Sequence, residues 1–194
     1  MSTASGYAAV TAAVLDFWFG RPDMPDFGRP RTVWFRRDPA FDTDIRARFL
    51  TDCERAAAGA YDALAATPEG ALALTILLDQ FPRNLFRGSA RAFGSDPAAR
   101  AVARGALDRG WDREMLPVQR LFLYLPFEHS EDVADQELCV ERTAALGNAE
   151  WTRYAERHLE IIQRFGRFPH RNAALGRAST EAERAFLLEP NSSF

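Results

Sequence analysis

Lysine is missing from this sequence: all 24 basic residues of the 194-residue chain are arginine. Arginine codons in a GC-rich genome account for most of that bias. Bidentate recognition of anions, which guanidinium performs and ammonium does not, is an expectation for only two or three of these positions. Cysteine is scarce, with Cys53 and Cys139 far apart and neither in a CxxC pair. That excludes a disulfide framework and a paired-cysteine zinc site, and leaves reduced, buried thiols in a cytosolic protein as the expectation. Long apolar runs are also lacking. The best, Leu72 to Leu78, is far too short to span a bilayer. The beginning of the chain has no basic segment, and Asp16 interrupts its apolar stretch, so a signal peptide is not expected. The formal net charge of −3 gives no general pull toward nucleic acid or an anionic membrane, so neither is expected as a partner. No alternating apolar and polar run is long enough to argue for a sheet.

What is present is helix punctuation. Ala8 to Phe19 reads as a helix stopped by Gly20. Asp38-Pro39 is an N-cap followed by proline at the first helical position, with Phe41, Ile45, Phe49 and Cys53 four apart behind it and Gly59 as its stop. Thr67-Pro68-Glu69 repeats the start signal ahead of a helix apolar enough to be buried nearly all round. Ser95-Asp96-Pro97, Pro117, Ser130 and Asn148 open four more, closed near Gly110, Leu125, Gly147 and Gly166. Thr180 and Glu183 have capping-box spacing before a last helix ending near Pro190. The expected fold is all-α, with about eight helices in antiparallel hairpins forming an array or bundle, and one domain over residues 1–194.

Three apolar-Pro steps stand out: Phe81-Pro82, Leu125-Pro126 and Phe168-Pro169. Proline donates no N–H and disfavours helix before it, so three helices are expected to end there with carbonyls in need of partners. Polar residues gather at the same places. The first step carries Asp79, Gln80, Arg83, Asn84 and Arg87; the second Glu128, His129, Ser130 and Glu131; the third His170, Arg171 and Asn172. Helical hairpins can bring such ends to one side of a bundle. The expected site is then a polar pocket for a small anionic metabolite. Arg83 and Arg171 would grip a carboxylate or phosphate, with Asp79, Gln80, Asn84, His158 and Asn172 orienting it. Glu128, His129 and His170 would move protons, and Trp18 and Phe127 would wall the cavity. A purely structural network of caps and ion pairs explains the same residues, and His158 sits on an apolar stripe as a core histidine would. A Glu128-His129-Ser130 triad finds no GxSxG elbow to support it. A metal-dependent site drawing on Asp79, Glu128, His129, His158 and His170 is an alternative without HExxH spacing, so neither metal nor cofactor is assigned.

Four blocks carry a family resemblance: LDFWFG (Leu15 to Gly20), LLDQFPRNLFRG (Leu77 to Gly88), FLYLPFEHSED (Phe122 to Asp132) and RFGRFPHRNAALGR (Arg164 to Arg177), followed by FLLEPNSSF at the end. Together they resemble the bacterial family catalogued as domain of unknown function 924. The resemblance implies an all-helical fold similar to tetratricopeptide-repeat arrays. It implies no activity. Such an array also raises the alternative of a scaffold that holds a peptide or protein partner in a groove.

Overall fold

The computed structural model describes residues 3–190 and 192; Met1, Ser2 and three residues of the closing FLLEPNSSF block lie outside that description. Among the described residues there are helices and turns and no strand. The helices are α1 (Thr3–Phe19), α2 (Pro39–Ala57), α3 (Pro68–Thr75), α4 (Phe81–Leu85), α5 (Asp96–Asp108), α6 (Pro117–Glu128), α7 (Val133–Ala144), α8 (Ala149–Phe165) and α9 (Glu181–Phe186). A π-helical turn, Ile76–Gln80, joins α3 to α4, so these two form one continuous run and the described helical rods number eight.

The starts follow from the caps. Asp38 accepts the N–H groups of Ala40 and Phe41 at 2.9 and 3.0 Å, Thr67 accepts that of Gly70 at 3.1 Å, and Asn148 accepts those of Glu150 and Trp151. Thr180 and Glu183 form the reciprocal capping box. Gly20 and Gly166 close α1 and α8 in the left-handed conformation that a side chain disfavours. The start of α7 differs from expectation: it is capped by Asp132, which accepts from Ala134, while Ser130 instead donates to Asp135 and accepts from the Asp132 N–H. Glu131 is thereby released from the helix.

Two of the three proline steps are not helix ends. Pro82 lies inside the α3–α4 run, directly after the π turn, and Pro126 lies inside α6, which continues to Glu128. In the first case the carbonyls that proline cannot serve are satisfied from elsewhere. The Ser95 hydroxyl donates to Leu78 O at 2.6 Å, the Cys53 thiol to Leu77 O at 3.3 Å and Arg83 to Asp79 O at 2.7 Å. The register shift is visible in the Phe81 N–H, which bonds Ile76 O five residues back. Only Phe168-Pro169 marks a true break. There α8 has stopped at Gly166, Phe168 is extended, and Pro169–Arg171 makes a single 3-10 turn.

The chain packs as two compact units. The first comprises residues 1–87 and 91–126. Its centre is α3 and the π turn, buried from Gly70 to Gln80 as expected, with α1 and α5 packed on α3 and α2 on α4. An aromatic cluster closes it: Trp18 meets Phe122, Phe81 and Trp34 at ring distances of 5.4, 5.6 and 6.0 Å, and Trp34 meets Phe122 at 4.8 Å. Trp18 is therefore a core residue of this unit, and its indole N–H is buried without a partner among the described residues. The second unit comprises 88–90 and 127–194. Its largest contact is between α7 and α8, a helical hairpin turned at 145–148, and Ile161, Ile162, Phe168 and Phe186 form its apolar cluster.

Candidate functional site

In the first unit, the residues around Pro82 form two ion-pair networks. Arg83 is bidentate on Asp96, at 2.8 and 3.0 Å, and lies 3.3 Å from Asp79 Oδ1. Burial opposes its charge, but Asp79 and Asp96 more than offset that and raise its pKa above the ordinary arginine value. Gln80 donates to the other oxygen of Asp79 at 2.6 Å. Asn84 donates to Asp42 at 2.7 Å, and Arg87 grips the same carboxylate with two bonds. Burial works against the Asp42 charge, and Arg87 and Asn84 more than compensate, so its pKa is lowered. Asp79, Gln80, Arg83 and Asn84 thus share one neighbourhood, and the donors of Arg83 and Asn84 are engaged by Asp96 and Asp42. Beside them is a pocket of about 200 Å³ lined in part by Cys53, Pro82, Phe86, Arg91 and Ser95. Burial pushes the Cys53 thiol up to about 12, so it stays protonated there.

In the second unit, the polar residues that follow Pro126 meet those that follow Pro169. Glu128, at the end of α6, is 6% exposed; its Oε1 lies 3.5 Å from Nδ1 of His158, and its Oε2 lies 3.9 Å from the Cys139 thiol. The His158 Nδ1 is also 2.8 Å from the Tyr154 carbonyl one turn back in α8. The Tyr154 carbonyl can only accept, so in the neutral ring the proton sits on Nδ1. Phe168 is the hub of the cluster. The rings of His158 and His170 each lie 5.6 Å from it, and the Arg171 guanidinium covers it at 4.4 Å. His129 faces His158 at 6.5 Å between rings, and its carbonyl accepts from Arg171 at 3.0 Å. His158 is 4% exposed, and burial holds its pKa down to about 3, with His129, Arg171 and His170 adding repulsion. Cys139 is fully buried, and burial and then the Glu128 charge push its thiol well above the usual range, so it is no nucleophile.

Gln136, Arg177 and Ser179, which the sequence did not single out, hold this arrangement together with Glu131 and Asn172, which it did. Gln136 donates its amide to Glu128 O at 2.5 Å and Ser130 O at 2.7 Å, closing the end of α6. Glu131 accepts the Phe168 N–H at 2.8 Å and takes Arg177 as a bidentate partner at 2.7 and 2.9 Å. Burial resists its charge, while Arg177 and then the Phe168 N–H bring its pKa below the ordinary value. Asn172 accepts from Arg177 and donates to Ser179, which makes it a tie between loops. For Arg177 the available signal was an arginine just beyond HRN. Among the described residues no three of His, Cys, Asp and Glu are grouped to hold a metal ion. No described helix is long and apolar enough to cross a membrane.

A family model described as a bacterial protein of unknown function (DUF924) matches residues 14–191. The chain belongs to the DUF924 family. A solved structure, that of the protein of unknown function ATU0120 from Agrobacterium tumefaciens, is similar at a TM-score of 0.83 and 41% identity, over 93% of this chain and 98% of that one. No curated protein matches this DUF924 chain. The glutamate-histidine cluster falls within the part matched to DUF924, as does the Arg83 network.

Proposed function

We propose that the cluster in the second unit binds a small anionic metabolite, with Arg171 as its main grip and His158 and His170 beside it. Glu128, His129 and His170 are the groups able to exchange a proton with such a ligand. The observation that carries this reading is the convergence of two imidazoles and one guanidinium on Phe168, with a third imidazole, His129, facing His158 and with Glu128 as the buried carboxylate in contact with His158. A cluster kept only for packing has no need of so many groups that bear or acquire positive charge, because each costs desolvation. Asp79, Gln80, Arg83, Asn84 and Asn172 contribute less to the reading, since Arg83, Asn84 and Asn172 already serve Asp96, Asp42, Arg177 and Ser179. A cytoplasmic setting belongs to the proposal, supported by two buried, unbridged cysteines.

A thermal-shift panel of small carboxylates and phosphate esters tests it. The expected result is that at least one raises the melting temperature of the natural chain and has no such effect on Arg171→Ala. A panel without any stabilising anion, or one whose effect survives in Arg171→Ala, contradicts the proposal.

A further inference from the structure

We infer that the loop from Arg29 to Arg37, in the first unit, is a docking surface for a short acidic segment of a partner protein, which seats an apolar side chain on Phe35. Phe35 is 58% exposed, while its ring stacks on the buried Phe122 at 6.0 Å and 6° between planes. The loop is held from beneath. Arg31 donates to the carbonyls of Phe17 and Trp18 at 2.7 and 3.0 Å, and the buried Trp34 donates its indole N–H to Trp18 O at 3.1 Å. The Gly28 N–H, just before the loop, bonds Phe19 O at 3.1 Å. A ring presented on a backbone fixed in this way loses little freedom when a partner covers it. The exposed Leu116 side chain lies against Gly28 and adds a second apolar group at that end.

Arg29, Arg36 and Arg37 are exposed, and their side chains make no hydrogen bond or ion pair among the described residues. The acids that follow them are engaged. Asp38 caps α2, and Asp42 is held by Arg87 and Asn84, with Arg37 acting on it only from beyond ion-pair distance. Residues 29–37 hold four of the 24 arginines and no acid, so the remaining 20 arginines stand against 27 acids, a balance of −7 elsewhere. That asymmetry selects the occupant. Carboxylates meet guanidinium donors that are unused, beside an aromatic ring of the kind found at interface centres. A second copy related by a two-fold axis would set the loop against itself, like charge on like. A long polyanion or an anionic bilayer would also meet the acidic remainder of the chain. A short peptide engages the loop alone.

The test is fluorescence polarisation of the full chain with a panel of labelled peptides, each carrying one Trp, Phe or Leu flanked by glutamates and aspartates. The expected result is that at least one binds, more weakly as salt is added. Its affinity should fall by at least about fivefold, the loss of one hot-spot contact, in Phe35→Ser and in the double variant Arg36→Ala, Arg37→Ala. Replacing its acids by Gln and Asn should abolish binding. Peptide affinity that is unchanged in both variants places the segment elsewhere and overturns the inference. A panel with no binder overturns it too. Binding of phosphatidylglycerol vesicles or of a thymidine oligonucleotide, lost in the variants and matched by no peptide, assigns the loop to a membrane or to nucleic acid and likewise overturns it. Should Phe35→Ser lower the melting temperature, the double arginine variant, altered only at exposed side chains, decides the outcome. Each of these results leaves the anion site in the second unit untouched.

Discussion

His158 shows how one residue can satisfy two descriptions at once. It lies on the buried stripe of α8, bonded to a carbonyl one turn back, as a core histidine should. It also belongs to the cluster on Phe168. Its folded pKa of about 3 lies below the ordinary 6.5, so the unfolded chain binds the extra proton as acid is added. The stability His158 contributes is therefore fully present above pH 6.5 and is lost progressively as pH falls below it. Melting temperatures of the natural chain should begin to drop near pH 6.5, and those of His158→Gln should drop less over pH 7 to 5. Equal drops in the two proteins contradict this assignment. Carboxylates held by arginine act lower. Glu183, whose pKa Arg167 and the Thr180 N–H depress strongly, loses its contribution only under more acidic conditions.

At the scale of elements, what the sequence made legible was local. Asp38, Thr67, Asn148 and Thr180 cap within four residues of themselves, and each cap is found in the structure. Proline was misleading at Pro82 because the compensation is remote. Ser95 and Cys53, which serve the carbonyls of Leu78 and Leu77, lie 17 and 24 residues away, and no spacing rule connects them to that helix. Ser95→Ala should leave the buried Leu78 carbonyl unserved, at about 1–3 kcal/mol, or roughly 2–10 °C in melting temperature for a chain of this size. An unchanged melting temperature contradicts the role given to Ser95. The start of α3 carries a second sensitive point. A Cβ built on Gly70 meets the Leu64 carbonyl at 2.1 Å, a backbone atom that has no rotamer to escape into. Gly70→Ala should cost about 1–3 kcal/mol by overpacking, read as a lower urea midpoint; a midpoint equal to that of the natural chain contradicts it.

At the scale of the molecule, the all-helical class was readable from caps and period because both are properties of short segments. The candidate site was only half readable. The residue types at the three proline steps were evident, but their partners were not. Arg83 answers to Asp96, and Asn172 to Arg177 and Ser179, through packing that sequence separation hides. Glu131, counted with the second step, turns out to support the third by holding the Phe168 N–H and Arg177. The family and its solved relative of unknown function extend the fold across a shared lineage and leave the chemistry to be decided at the cluster itself. The most direct test is a crystal structure of the protein grown with sulfate or with a stabilising anion from the thermal-shift panel. The account predicts an anion within hydrogen-bond distance of the Arg171 guanidinium and of an imidazole of His129, His158 or His170. Clear density for this cluster with no anion there would contradict it.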